Sequence, residues 1–138
     1  MADLIGYGIP GSKFNTRKVK LHDFKKLPKV VNGIGWIKDY FLTGGCWGMA
    51  LAVYDLLKKQ GYSPKLKINY GTGTIHAYVE VMGKGIDATG VFNAASEEWV
   101  EDKSYSIKEF KQIARDYGPP SVPQDRKSAA WLLENLVE

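Results

Sequence analysis

From Cys46 to Gln60 the apolar residues Met49, Ala50, Val53, Leu56 and Leu57 recur at helical spacing. Gly61 follows, a residue suited to the left-handed position that closes a helix, with Lys58 and Lys59 in the last turn. Beyond Pro64 the pattern changes. Lys65–Tyr70 reads as a strand, Gly71-Thr72-Gly73 as a turn, and Ile75, Ala77, Val79 and Val81 alternate with His76, Tyr78 and Glu80. Gly83-Lys84-Gly85 signals a hairpin, and a third strand is expected over about Ile86 to Phe92. A helix that runs directly into antiparallel strands predicts an α+β fold, with that helix packed on a small antiparallel sheet.

The flanking segments fit around this core. Residues 1–17 are glycine-rich and turn-prone, an irregular arm. Val19–Lys26 has a rough apolar face and predicts a short helix stopped by Pro28. Gly33 and Gly35 interrupt the chain before Trp36–Leu42. Ser106 and Glu109 have the spacing of a capping box, ahead of an apolar face of Ile107, Phe110, Ile113 and Ala114. Pro123–Val137 predicts a last helix packed through Ala129, Ala130, Leu132, Leu133 and Leu136. At 138 residues the chain is read as one domain over 1–138, with a core at 40–92 and a helical part at 106–138.

Charge and cysteine content narrow the functional classes. The net charge is +4, and Lys13, Arg17, Lys18, Lys20, Lys25, Lys26 and Lys29 crowd the first third. A solvated surface accounts for them. No zinc-finger spacing, phosphate loop or RNA-binding motif supports a nucleic-acid partner. No apolar run approaches the roughly 20 residues of a membrane span. The first residues lack the basic start and apolar stretch of a signal peptide. A cytoplasmic protein, or one delivered without such a signal, is expected. One cysteine forms neither an internal disulfide nor a cysteine-rich metal site, and no metal or cofactor is implied.

That cysteine stands where the helix begins, in T43-G44-G45-C46-W47-G48-M49-A50. Free N–H groups and the dipole at a helix start favour a thiolate. Gly44, Gly45 and Gly48 are read as leaving space for a carbonyl beside the sulfur, and the Cys46 N–H as facing an oxyanion. Trp47 and Gly45 flank the thiol. His76, thirty residues later, sits on the polar face of a strand and is the candidate base; His22, among lysines, is the weaker competitor. Asp87 is the candidate to orient the imidazole. A Gly83-Lys84 hairpin sets it opposite Glu80, roughly 13 Å along the strand from His76. A bulge, a strong twist or an earlier turn brings it closer, and Thr89 and Asn93 are the alternatives. The four tryptophans are assigned to core packing, Trp47 excepted.

These motifs resemble the papain-like superfamily, in its transglutaminase-like and bacterial NlpC/P60-like branches. The likeness rests on G-G-C-W-G-M-A at a helix start, H-A-Y-V-E-V on a strand and I-D-A-T-G after it, and covers about residues 40–92. It implies a papain-like α+β fold with Cys46 as nucleophile, His76 as base and Asp87 as third member. Ala88 replaces the usual proline, and Tyr40 stands where the family has an oxyanion glutamine, so Asn32 or the backbone takes that role and Tyr40 is assigned with Trp47 and Gly45 to substrate contact. The implied activity is hydrolysis of a peptide or isopeptide bond, by a monomer acting on a peptide, protein or peptidoglycan-peptide substrate. Deamidation or transamidation uses the same residues. A non-catalytic binding module using the basic N-terminal third is the other expectation.

Overall fold

A computed structural model describes residues 19–32, 40–71, 74–93 and 103–137. The N-terminal arm, Trp36, Trp99 and the Thr72-Gly73 part of the predicted turn lie outside the described residues. The chain is α+β, with four α-helices and one four-stranded antiparallel sheet among the described residues.

A 3₁₀ turn over Leu21–Lys26 runs directly into α1, Leu27–Asn32. Pro28 therefore does not end the helical segment, contrary to the expectation from its sequence context. The change of helical type at Leu27 puts Pro28 in a first turn, where a missing N–H costs nothing. Phe24, Leu27 and Val31 are fully buried.

Helix α2, Cys46–Lys59, is the centre of the molecule. Its first two turns are buried all round, not along one stripe, because the sheet covers one side and a later helix the other. Gly61, at φ 90°, donates to the Lys58 carbonyl and Tyr62 to that of Leu57, so two of the carbonyls of the last turn are used.

The sheet is a meander of β1 (Lys65–Gly71), β2 (Thr74–Val81), β3 (Lys84–Asp87) and β4 (Gly90–Asn93). The β2–β3 loop is Met82-Gly83, one residue earlier than predicted. Both residues have positive φ, 53° and 77°, as a primed two-residue turn requires. Val79 then pairs with Ile86 and Glu80 with Gly85. Gly85 lies under the Phe92 ring, and a Cβ there would lie 2.3 Å from it, so a side chain would displace that ring. The predicted third strand is two: the chain reverses at Ala88-Thr89, and Asp87 pairs with Gly90, whose φ is 99°.

Tyr105 bridges back to Leu66 on β1. Helix α3, Ile107–Tyr117, starts at the predicted capping box, with Glu109 N–H to Ser106 Oγ at 3.1 Å and Ser106 N–H to Glu109 Oε1 at 2.9 Å. Helix α4, Val122–Glu134, ends in a 3₁₀ turn over Asn135–Val137. It packs on α2 so closely that a Cβ on Gly48 would lie 2.5 Å from Asp125 Cβ. Arg126 of α4 holds Asp55 of α2 through two bonds, at 2.7 and 2.8 Å. Trp131 is an exception to core packing, at 38 % exposure. Among the described residues no helix is long and apolar enough to cross a membrane.

Candidate active site

Cys46 is the first residue of α2, and its N-cap, Gly45, offers no side chain to the first-turn N–H groups. The sulfur abuts β2. The β2–β3 ladder ends at the Val79–Ile86 pair, and beyond it the Ala77 N–H donates to Cys46 Sγ at 3.4 Å. The residue is 1 % exposed. The Cys46 N–H does not face an open oxyanion position; it donates to the Thr43 carbonyl at 3.2 Å.

His76 neighbours Ala77 on β2, and its Nε2 lies 2.8 Å from Asp87 Oδ2. The 13 Å separation expected from a Gly83-Lys84 loop is thus corrected. The earlier turn, continued one step along the ladder, sets Asp87 opposite Tyr78 and diagonal to His76, on one face of the sheet. Thr89 fixes the carboxylate from the other side, donating both its N–H (2.8 Å) and its hydroxyl to Oδ1. Thr89 is therefore a support for Asp87, not a substitute. Asn93 pairs with Lys84 at the far end of the β3–β4 hairpin.

Electrostatics follow from this geometry. Burial disfavours the His76 imidazolium. Hydrogen bonds to Asp87 and Cys46, with the charges of both, outweigh it and raise the imidazole to about 9. Burial likewise opposes ionisation of Asp87, yet the bonds from His76 and Thr89 hold it below the usual carboxylate range. Nε2 is engaged by Asp87, which leaves Nδ1 as the ring nitrogen free to serve Cys46. The Tyr78 ring stacks beside the imidazole at 6.2 Å and is itself buried, so the polar face of β2 is covered at that point. His22 lies on the surface, 3.3 Å from Asp23.

The residues assigned to substrate contact also pack against neighbouring elements. Trp47 is 3 % exposed and packs on Phe110, with ring centroids 5.4 Å apart, so it belongs to the α2–α3 interface. Gly45 is a packing glycine: a Cβ there would lie 2.6 Å from the Tyr40 ring. Gly48 is filled by α4 rather than left open beside the sulfur. The Tyr40 hydroxyl donates to Asp125 Oδ2 at 2.7 Å and lies 3.0 Å from Ser121 Oγ. Burial raises the Tyr40 phenol; the Ser121 bond opposes this, while the Asp125 bond and the charges of Asp125 and Cys46 add to it. The ring thus ties the loop ahead of Cys46 to the start of α4. Burial raises Asp125 as well, against the bonds from Tyr40 and Ser121.

Sequence reasoning missed Asp125, Ser121 and Asn69. Asn69 pairs directly with His76 across the β1–β2 ladder, is 8 % exposed, and has an unpartnered side-chain oxygen. Its alternation with Ile68 marks the face it shares with His76, but only the β1–β2 register puts the two side by side. Asp125 carried no motif, and its link to Tyr40 spans 85 residues. Among the described residues no three His, Cys, Asp or Glu side chains converge as a metal site. No family model, curated protein or solved structure matches this chain.

Proposed function

We propose that this protein is a cysteine-dependent acyl-transfer enzyme of papain-like architecture, a peptidase or amidase acting on a peptide or isopeptide bond. The observation that carries the reading is the position of one imidazole between a helix-start thiol and a buried carboxylate. In this reading the Cys46 proton already rests on the His76 imidazole, whose charged form is favoured, and the sulfur attacks the carbonyl carbon as the thiolate. The tetrahedral species collapses, the C–N bond breaks, and His76 returns the proton to the departing amine. Water then attacks the thioester, gives a proton to His76, and releases the acid and the thiolate. Asp87 keeps the ring oriented and stabilises its charged form throughout. If an amine replaces water in the last step, the same residues perform transamidation.

A second reading has its own support. At 1 % exposure, Cys46 resembles the small buried hydrophobe that a free cysteine often is, in a binding module without chemistry. Alkylation by iodoacetamide separates the two. An enzyme of this kind reacts faster at mildly acidic pH than a free cysteine, and His76→Ala slows it by about tenfold or more. A rate no faster than that of free cysteine, and unchanged in His76→Ala, overturns the acyl-transfer reading.

A further inference from the structure

A concavity lies away from Cys46 among the described residues. It is a groove of about 1420 Å³ between α2, α3 and α4. Its apolar lining includes Leu51, Ile107, Ala114, Val122 and Ala130, and its cations are Lys58, Lys59, Lys111, Arg115, Arg126 and Lys127. Among the described residues Asp55 is the single carboxylate that lines it, and Asp55 is held by Arg126. Five cations are left without a carboxylate among the described residues, more than the whole chain's net charge of +4.

From Leu51 to Lys59 the α2 wall is about 12 Å long at helical rise, and α3 and α4 supply walls of similar length. The volume exceeds the roughly 300–1,000 Å³ of ordinary small-molecule sites. A trough about two helical turns long, apolar within and cationic at its edges, has the shape and charge to receive a helix with one apolar face and acidic flanks. We propose that this groove is a docking site for an acidic amphipathic helix of a partner protein. The charge selects the occupant. A basic helix meets five uncompensated cations, and an uncharged one leaves them unused. The apolar lining disfavours nucleic acid, whose backbone seeks a polar cationic surface. The concavity disfavours a bilayer, which takes a protruding apolar face.

The proposal does not rest on the acyl-transfer reading, and its test is run on Cys46→Ala as well as the native protein. Fluorescence anisotropy is measured with a labelled peptide of about 18 residues, with Leu at i, i+3, i+4, i+7 spacing and Glu at most other positions. A scrambled peptide of the same composition, a Lys counterpart, phosphatidylglycerol vesicles and a short RNA hairpin complete the series. The acidic amphipathic peptide is expected to bind at least about tenfold more tightly than the scrambled or Lys peptide, equally in Cys46→Ala. Exposed Lys59→Glu with Lys127→Glu is expected to weaken it by about tenfold at unchanged melting temperature. Equal affinity for the scrambled peptide, full retention in the double variant, or tighter binding of the vesicles or RNA overturns the proposal.

Discussion

His76 and Asp87 meet at 2.8 Å because the chain turns at Met82-Gly83 and not one residue later. A two-residue shift of the β3 ladder separates the two outcomes, and it moves Asp87 from opposite Glu80 to the diagonal of His76. The pair is thus a product of strand register, secured by Thr89 on the far side of the carboxylate.

The raised imidazole should depend on that carboxylate. In Asp87→Asn the hydrogen bond can persist but the negative charge is gone, while the burial that opposes the imidazolium remains. NMR titration of the His76 ring protons is expected to show the midpoint fall from about 9 toward the ordinary 6.5, with the Cys46 contribution remaining. An unchanged midpoint shows that Asp87 does not supply the stabilisation.

The same pair predicts how stability varies with pH. His76 binds its proton more tightly folded (about 9) than unfolded (6.5), so its contribution is full below 6.5 and is lost as pH rises from 6.5 through 9. Asp87 is depressed when folded, so its contribution is present above the ordinary carboxylate value and is lost as pH falls through the folded value. The two therefore stabilise together in the mildly acidic range. Urea unfolding is expected to show a loss of up to about 3 kcal/mol between pH 6.5 and 9. The loss should be absent in His76→Gln. A flat profile in the native protein contradicts the charged pair.

Much of the fold was legible because local signals agreed. Helix α2 was marked by its period and by Gly61, and α3 by Ser106 and Glu109. The position of Asp87 was not legible, for a physical reason. A shift of two residues preserves the pleat, so Val79, Val81 and Ile86 face the core in either register and the apolar pattern cannot choose. The packing of Trp47, Gly45 and Gly48 was not legible for another reason. Their roles are set by Phe110, Tyr40 and Asp125, which are brought in by packing and leave no local trace.

The turn itself can be tested. Met82 is the only non-glycine residue with positive φ among the described residues, at 53°. Asn tolerates that region better, so Met82→Asn is expected to stabilise by about 0.5–1 kcal/mol. Gly83 has φ 77° and open space around it, so Gly83→Ala carries backbone strain alone, about 1–2 kcal/mol. Thermal melts of both variants measure this. A Met82→Asn variant less stable than the native chain would place the turn elsewhere.

The join between the helix start and α4 gives a last test, on Gly48 and Tyr40. A Cβ at Gly48 would meet Asp125 Cβ at 2.5 Å and the Arg126 backbone nitrogen at 2.7 Å, and backbone yields little. Gly48→Ala must therefore push α4 off α2, costing about 1–3 kcal/mol or more despite the higher helix propensity of alanine. Tyr40→Phe removes only the hydroxyl, leaving Asp125 with Ser121 as its remaining side-chain donor, and is expected to cost about 1–2 kcal/mol. Because Tyr40 precedes Cys46 by six residues and Gly45 donates to the Tyr40 carbonyl, both variants should also alter the rate of Cys46 alkylation. If melting falls in Gly48→Ala while the thiol reacts at its native rate, α4 secures the fold without positioning the sulfur. If both change together, the α2–α4 contact is what holds Cys46 against His76.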